Sequence, residues 1–398
     1  MAKPEVPIIH EPVRAEFLPF HIPVIGAEEI DAVVDVLRSG WLTTGAKAKQ
    51  FESDFARFTG ARHAVAVNSA TAALHLALEA AGVQQGDEVI VPTMTFTATA
   101  EVVCYLGARP VLVDCEPDTL NLDVGRLDGA LSPRTKAIIP VHFAGQPCAM
   151  DRIVEFARAH GLVVIEDAAH ALPALYRERM IGSIGDITCF SFYATKTITT
   201  GEGGMATTNN PQWAERIRVL SLHGISHDAW KRYAAEGSWY YEVASAGYKY
   251  NLTDIAASLG IEQLKKCQSF YHARRRISAM YSAGFADLPE ITSPACRPNL
   301  QHAWHLYVIQ LDLERLTIGR REFIEELKRA NIGTSVHFIP LHLHPFYQGA
   351  FGYRADDFPV ASAVYQRIIS LPIYPTMTDR DVQDVICAVT NIVQRNRR

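Results

Sequence analysis

The sequence predicts an α/β protein, with a mainly parallel central sheet covered by helices on both faces and a smaller C-terminal α+β domain. Three observations predict it. Short β-branched-rich runs alternate with amphipathic stretches from about residue 60 to residue 206. A long helical stretch follows near residue 256, and the remainder reads strand, helix, strand, helix. Strands of this length alternating with helices are the mark of βαβ units, whose sheet is buried on both faces.

The expected strands, in order, are HAVAV (63–67), EVIVP (88–92), RPVLVD (109–114), KAIIPVHF (136–143), LVVIED (162–167) and Ile187–Phe192. Each stops at a turn or polar residue. Helical apolar spacing marks Thr71–Ala81 and Met150–His160 between them. A helix from about Ala256 to Ala286 suits a hinge between two lobes. It carries Lys265, Lys266, Arg274, Arg275 and Arg276, a basic run that reads as a solvated face. The smaller lobe is expected to hold HAWHLYVIQLDL (302–313), a helix over 321–333, a strand TSVHF (334–338) and a final helix from about Asp379. The expected division is an N-terminal arm over 1–17, a large domain over 18–265 and a small domain over 266–398. No internal repeat or low-complexity segment interrupts this order.

The chain has 398 residues, 38 Lys+Arg against 43 Asp+Glu, and a net charge of −5. That balance lacks the basic footprint of a nucleic-acid binder. No apolar run approaches the roughly 20 residues of a membrane helix. The first 17 residues mix charge and proline without the apolar core of a signal peptide. A soluble, cytoplasmic protein that partners neither nucleic acid nor membrane is expected. Seven cysteines form no C-x-x-C pair, which argues against a disulfide framework and structural zinc. None stands in a His- or Gly-rich setting that would activate its thiol.

Ligands of parallel sheets bind outside the carboxyl ends of the strands, so the residues after each run are the ones to inspect. N-S-A-T-A-A (68–73) follows HAVAV and opens a helix. Its small residues and hydroxyls at a helix N-terminus suit a phosphate, although plain N-capping explains the same residues. LVVIED ends at Asp167, followed by Ala168, Ala169 and His170. A carboxylate leaving a buried strand needs a cation or a donor, with a helix cap as the competing reading. Ile187–Phe192 leads into S-F-Y-A-T-K-T-I-T-T-G-E-G-G-M (191–205), which places Lys196 in a Ser/Thr/Gly-rich turn near Ser191.

Together these features match what pyridoxal 5′-phosphate (PLP) requires. Ala70, Thr71 and Ser191 would hold the phosphate, Asp167 the protonated ring nitrogen, and Lys196 the aldehyde. Phe96, in P-T-M-T-F-T-A-T-A after EVIVP, is placed to cover the ring face. His337, His342 and His344 have no carboxylate partner in register, so no metal is expected. His337 reads as a polar group on the substrate side, with a satisfied edge histidine as the alternative.

The motifs S-G-W-L-T-T-G (39–45), N-S-A-T-A-A-L-H-L-A-L (68–78), G-D-E-V-I-V-P (86–92), P-V-H-F-A-G-Q-P (140–147), E-D-A-A-H-A (166–171), S-F-Y-A-T-K-T-I-T-T-G-E-G-G (191–204) and V-H-F-I-P-L-H (336–342) occur in this order. From about Phe17 onward the chain resembles the DegT/DnrJ/EryC1/StrS family of PLP-dependent sugar aminotransferases. E-D-A-A-H-A, G-Y-K-Y-N-L-T-D-I (247–255) and H-A-W-H-L (302–306) resemble the branch acting on UDP-4-keto sugars, of the 4-amino-4-deoxy-L-arabinose type.

The resemblance implies the aspartate-aminotransferase type I fold and a homodimer with active sites at the subunit interface. It implies amino transfer from L-glutamate, leaving 2-oxoglutarate, to a UDP- or dTDP-linked 4-keto sugar in amino-sugar and cell-surface polysaccharide synthesis. Between half-reactions PLP becomes pyridoxamine phosphate (PMP). A 3-keto sugar or keto-inositol substrate and a non-catalytic PLP-binding regulator are the alternatives. His170 stands where many members carry Gln and, by the resemblance, contacts the cofactor's phenolic oxygen. Lys249 stands where many carry Asn, on a loop sent to the partner's cofactor phosphate. Thr43, Tyr193 and Asn251 are implied on the substrate side, Tyr193 replacing a frequent His. Lys196 is not the His of the related sugar 3-dehydrases.

Overall fold

The computed structural model describes residues 13–225 and 241–398. Its helices are α1 (Ala27–Ser39), α2 (Ala46–Thr59), α3 (Ala70–Ala80), α4 (Ala98–Tyr105), α5 (Leu127–Ala130), α6 (Met150–His160), α7 (Pro211–Ser221), α8 (Asp254–Gly284), α9 (Arg320–Arg329), α10 (Pro345–Phe351), α11 (Pro359–Tyr365) and α12 (Asp379–Asn396). The strands are β1 (His63–Val67), β2 (Glu88–Pro92), β3 (Arg109–Val113), β4 (Thr135–Ile138), β5 (Val163–Asp167), β6 (Leu175–Tyr176), β7 (Arg179–Met180), β8 (Ile187–Ser191), β9 (Gly204–Thr208), β10 (Ile291–Thr292), β11 (Leu300–Gln301), β12 (Tyr307–Leu311) and β13 (Ile368–Leu371).

The central sheet has the order β1-β9-β8-β5-β4-β2-β3. From β8 to β3 the neighbours are parallel, as the alternating pattern predicts. Both faces are buried, and strand alternation divides the apolar side chains between two layers. Val65, Val67, Val89 and Val91 pack with α3, while Ala64, Ala66 and Ile90 pack with α2 and α6. The expected strand over 136–143 is shorter, because Pro140 has no N–H for the ladder. One strand departs from the expectation of a turn through 205. β9 runs antiparallel between β1 and β8, with Ser191 opposite Gly204. The Lys196 loop is therefore tied to the sheet at both ends.

α8 packs its N-terminal half on α1 and α2 and also meets α12 of the smaller lobe. The expected division at 265/266 falls inside this continuous helix. Its basic run is not uniformly solvated. Arg274 is fully buried, because it shares a face with the buried Cys267, Tyr271, Ile277, Ser278 and Tyr281. There its Nη1 donates to the carbonyls of Ile373 (2.7 Å), His305 (3.2 Å) and Trp304 (3.3 Å). The guanidinium thus joins the long helix to two segments of the smaller lobe.

The smaller lobe packs α9 and α12 against the antiparallel sheet β10-β12-β13 around Phe323, Leu327, Val385, Val389 and Ile392. TSVHF (334–338) is not the expected strand. It makes a single bridge, Ser335 to Ser370, and then leaves the sheet. A strand sends neighbouring side chains to opposite faces, whereas His337 and Phe338 both line the same cleft. Of the expected N-terminal arm, residues 1–12 lie outside the described residues. The following segment is held to the smaller lobe, where Arg14 pairs with Asp381 and Asp384 at 2.7 Å each and Leu18 bridges Ile332.

Candidate active site

The segments after β1, β2, β5 and β8 converge on a cleft of about 370 Å³ at the carboxyl edge of the sheet. Ala70, Thr71, Phe96, Asp167, His170, Ser191, Tyr193, Lys196 and His337 all line it. Thr43, Lys249 and Asn251 do not. They gather elsewhere on the chain, where Lys249 Nζ donates to Asn251 Oδ1 at 2.5 Å and Asn251 Nδ2 donates to Thr44 Oγ1 at 2.7 Å. The Thr43 carbonyl accepts from the backbone of Asp254 at 3.2 Å.

One end of the cleft is the start of α3. Ser69 caps the helix, its hydroxyl accepting from Ala72 N at 3.0 Å and its carbonyl from Ala73 N at 3.1 Å. The first N–H groups, of Ala70 and Thr71, are left as the donors a helix N-terminus offers to an anion. Gly204 packs directly beneath them. A Cβ there would lie 2.4 Å from the Ser69 carbonyl carbon and 2.7 Å from Ala70 N, so a larger residue would displace the helix start.

Asp167 lies at the end of β5, buried. Its Oδ2 accepts from Thr99 Oγ1 at 2.8 Å and its Oδ1 from Ala169 N at 3.1 Å. Loss of solvent pushes its carboxyl above the ordinary range, and these donors oppose that shift. Lys196 follows β8 in its loop, where Lys196 N donates to the Tyr193 carbonyl at 2.9 Å. Burial lowers the Lys196 amine to about 8, although Asp167 pulls the other way. A lysine with a depressed pKa retains a neutral, nucleophilic fraction near physiological pH.

Histidines form the opposite wall. His170 Nδ1 accepts from Ala144 N at 3.3 Å. Burial holds the ring neutral, so Nε2 carries its proton and is a donor. Phe338 stacks on His170 at 5.8 Å between centroids and meets Phe96 at 5.9 Å. Phe96 itself is 58% exposed, an aromatic face open to the cleft. His337 Nδ1 pairs with Ser370 Oγ at 2.8 Å.

His305, 4.4 Å from His170, has a buried Nδ1 with no partner among the described residues. His342 uses both ring nitrogens on Thr93 (2.7 Å) and Ser362 (2.9 Å). Among the described residues no cluster of three or more His, Cys, Asp or Glu is placed to hold a metal.

Sequence reading missed Thr99, His305 and Phe338 as parts of this site. Thr99 had a local signal, because it lies in the segment that follows the strand EVIVP and also carries Phe96. His305 and Phe338 had none, since only the docking of the smaller lobe brings them to the sheet.

The donor set suits PLP: free helix N–H groups for a phosphate, a buried carboxylate for a ring cation, and a buried amine for an aldehyde. Residues 23–390 match the DegT/DnrJ/EryC1/StrS aminotransferase family. The chain belongs to this family. Over 96% of its length it is 54% identical to the spore coat polysaccharide biosynthesis protein SpsC of Bacillus subtilis, covering 98% of that protein. Among solved structures it is similar to the PLP form of Spr1654 from Streptococcus pneumoniae. There the TM-score is 0.88 and the identity 37%, with 95% of this chain and 99% of that chain covered.

PseC of Helicobacter pylori, an aminotransferase involved in pseudoaminic acid biosynthesis, matches with a TM-score of 0.88. It is 29% identical, with 96% of this chain and all of that chain covered. The protein is thus a PLP-dependent member of a sugar aminotransferase family. Among the described residues no helix is long and apolar enough to cross a membrane.

Proposed function

We propose that the protein transfers an amino group from L-glutamate to the 4-keto group of a UDP- or dTDP-linked sugar, releasing 2-oxoglutarate. The observation that carries this reading is the convergence of Lys196, Asp167 and the free start of α3 on one cleft. Bound PLP supplies an aldehyde and an electron-accepting ring. With the cofactor bound, Lys196, its amine lowered to about 8, would take the proton from the donor's Cα and return it to the carbon of the cofactor's former aldehyde. Asp167 keeps the ring nitrogen protonated, and the His170 Nε2–H donates to the phenolic oxygen. Ala70, Thr71 and Ser191 hold the phosphate, and Phe96 covers the ring face.

Tyr193 and His337 belong to the substrate side of their own chain's cleft in this reading, and Thr43 and Asn251, which lie outside it with Lys249, to the substrate side of the other copy's. The enzyme works in the cytoplasm as a homodimer, each copy lending Lys249 to the other's phosphate end. The exposed Lys249, outside its own chain's cleft, supports that exchange. The amino-sugar product would serve cell-surface polysaccharide synthesis, as the name of SpsC suggests.

The reverse reaction tests the substrate. Incubated with 2-oxoglutarate and candidate aminated UDP- and dTDP-sugars, the enzyme should form glutamate from 4-amino sugars. Glutamate from 3-amino sugars alone would move the reading to the 3-keto class. Borohydride reduction should add a phosphopyridoxyl mass to the peptide carrying Lys196 and to no peptide of a Lys196→Ala protein.

A further inference from the structure

We infer that Thr99 is a positioning residue, which sets Asp167 as the hydrogen-bond acceptor for the protonated ring nitrogen through the hydroxyl relay Thr95, Thr99, Asp167. The inference rests on the proposed pairing of Asp167 with that nitrogen.

Thr95 Oγ1 lies 2.7 Å from Thr99 Oγ1, which in turn lies 2.8 Å from Asp167 Oδ2. Thr99 is 0% exposed and Thr95 1%. Thr95 lines the cleft, whereas Thr99 does not and stands behind the carboxylate, its hydroxyl between Thr95 Oγ1 and Asp167 Oδ2. The carboxylate has little freedom to turn, because the backbone beneath it is fixed on both sides. Asp167 N donates to Pro140 O at 2.9 Å, His142 N to Asp167 O at 3.1 Å, and Ala168 N to Cys189 O at 2.8 Å. Ala169 N holds the other oxygen.

Two proton orders fit this chain of oxygens. In one, Thr95 donates to Thr99 and Thr99 to an ionised Asp167. In the other, a protonated Asp167 donates to Thr99, which donates to Thr95. Ala169 N can only donate, so it favours the ionised carboxylate in either case. A cationic N–H arriving from the cleft also needs an acceptor and completes the first order. In that order every hydroxyl proton points toward Asp167, and charge-assisted hydrogen bonds of this kind are the stronger class. Burial otherwise favours the neutral acid, so without Thr99 the carboxylate loses a donor that opposes protonation.

Thr99→Val removes the hydroxyl while keeping the branched shape. Apoprotein titrated with PLP should show a dissociation constant about tenfold higher, the effect of one hydrogen bond of roughly 1.4 kcal/mol. With ring-15N-labelled PLP, the nitrogen resonance should move from the pyridinium position toward neutral pyridine. Thr99→Ser should restore both values. Thr99→Ala is read in the same way if the valine variant does not fold.

A Thr99→Val protein with wild-type affinity and an unchanged 15N position overturns the relay. So does a loss of affinity shared equally by the serine and valine variants with the 15N position unmoved, which signals packing alone. A neutral ring nitrogen in the wild-type protein would instead overturn the pairing with Asp167 itself.

Discussion

The carboxylate of Asp254 closes the start of α2: its Oδ1 accepts the N–H of Gly45 at 2.7 Å and that of Ala48 at 2.9 Å. Lys47 N reaches its Oδ2 at 3.1 Å. A residue at the head of α8 therefore supplies the cap that Gly45, lacking a side chain, cannot supply to its own helix. The same contact holds the W-L-T-T-G loop against N-L-T-D, next to the bond from Asn251 to Thr44.

Asp254→Ala should lower stability by about 1–2 kcal/mol, the cost of a lost N-cap, read as a lower midpoint in urea. Asp254→Asn keeps an acceptor and should lose less than the alanine variant.

Lys196 makes the cofactor-free protein more stable at high pH. Its amine titrates at about 8 when folded against an ordinary 10.5, so the unfolded chain holds the extra proton between those values. Stability contributed by this group therefore rises as pH increases from about 8 to 10.5, by at most ~3 kcal/mol. Cofactor-free Lys196→Met should be more stable than wild type at pH 7, and the difference should vanish near pH 10.5.

Arg274 is buried without a carboxylate partner among the described residues, and burial lowers its guanidinium to about 10. Removing it relieves an unpaired charge but strands three carbonyls that it joins across the two lobes. Stranding wins, because each buried acceptor left without a donor costs about 1–3 kcal/mol. Arg274→Met should be destabilised by roughly 3 kcal/mol in urea denaturation, and Arg274→Lys by less.

His337 should weaken the fold in acid. Burial lowers its imidazole to about 4 from 6.5, so the unfolded chain takes up the proton first as pH falls. Its contribution is intact above pH 6.5 and is lost progressively down to about pH 4, by at most ~3 kcal/mol. His337→Asn should show a shallower decline in thermal midpoint across that window.

Residues at strand ends were legible because their signals are local. A β-branched run ending in Asp167 marks a buried strand with a carboxylate at its edge, and a glycine-bounded turn after the next run marks Lys196. The parallel sheet follows from the same alternation. The β9 strand was hidden, since Gly204–Thr208 has Met205 as its one large apolar residue and its burial depends on the flanking strands and the helices that cover them.

The sequence by itself determined which side chains stand at the carboxyl edge of the sheet and the chemistry they can do together. Tertiary structure alone decided what each of them touches. Thr99 and Asp167 are 68 residues apart, and Arg274 meets Ile373 across 99. Periodicity of 2 or 3.6 residues tells which face of an element a side chain occupies. The partner on the far side depends on how the elements pack, and that same packing turned His337 and Phe338 from a strand pattern into a wall of the cleft.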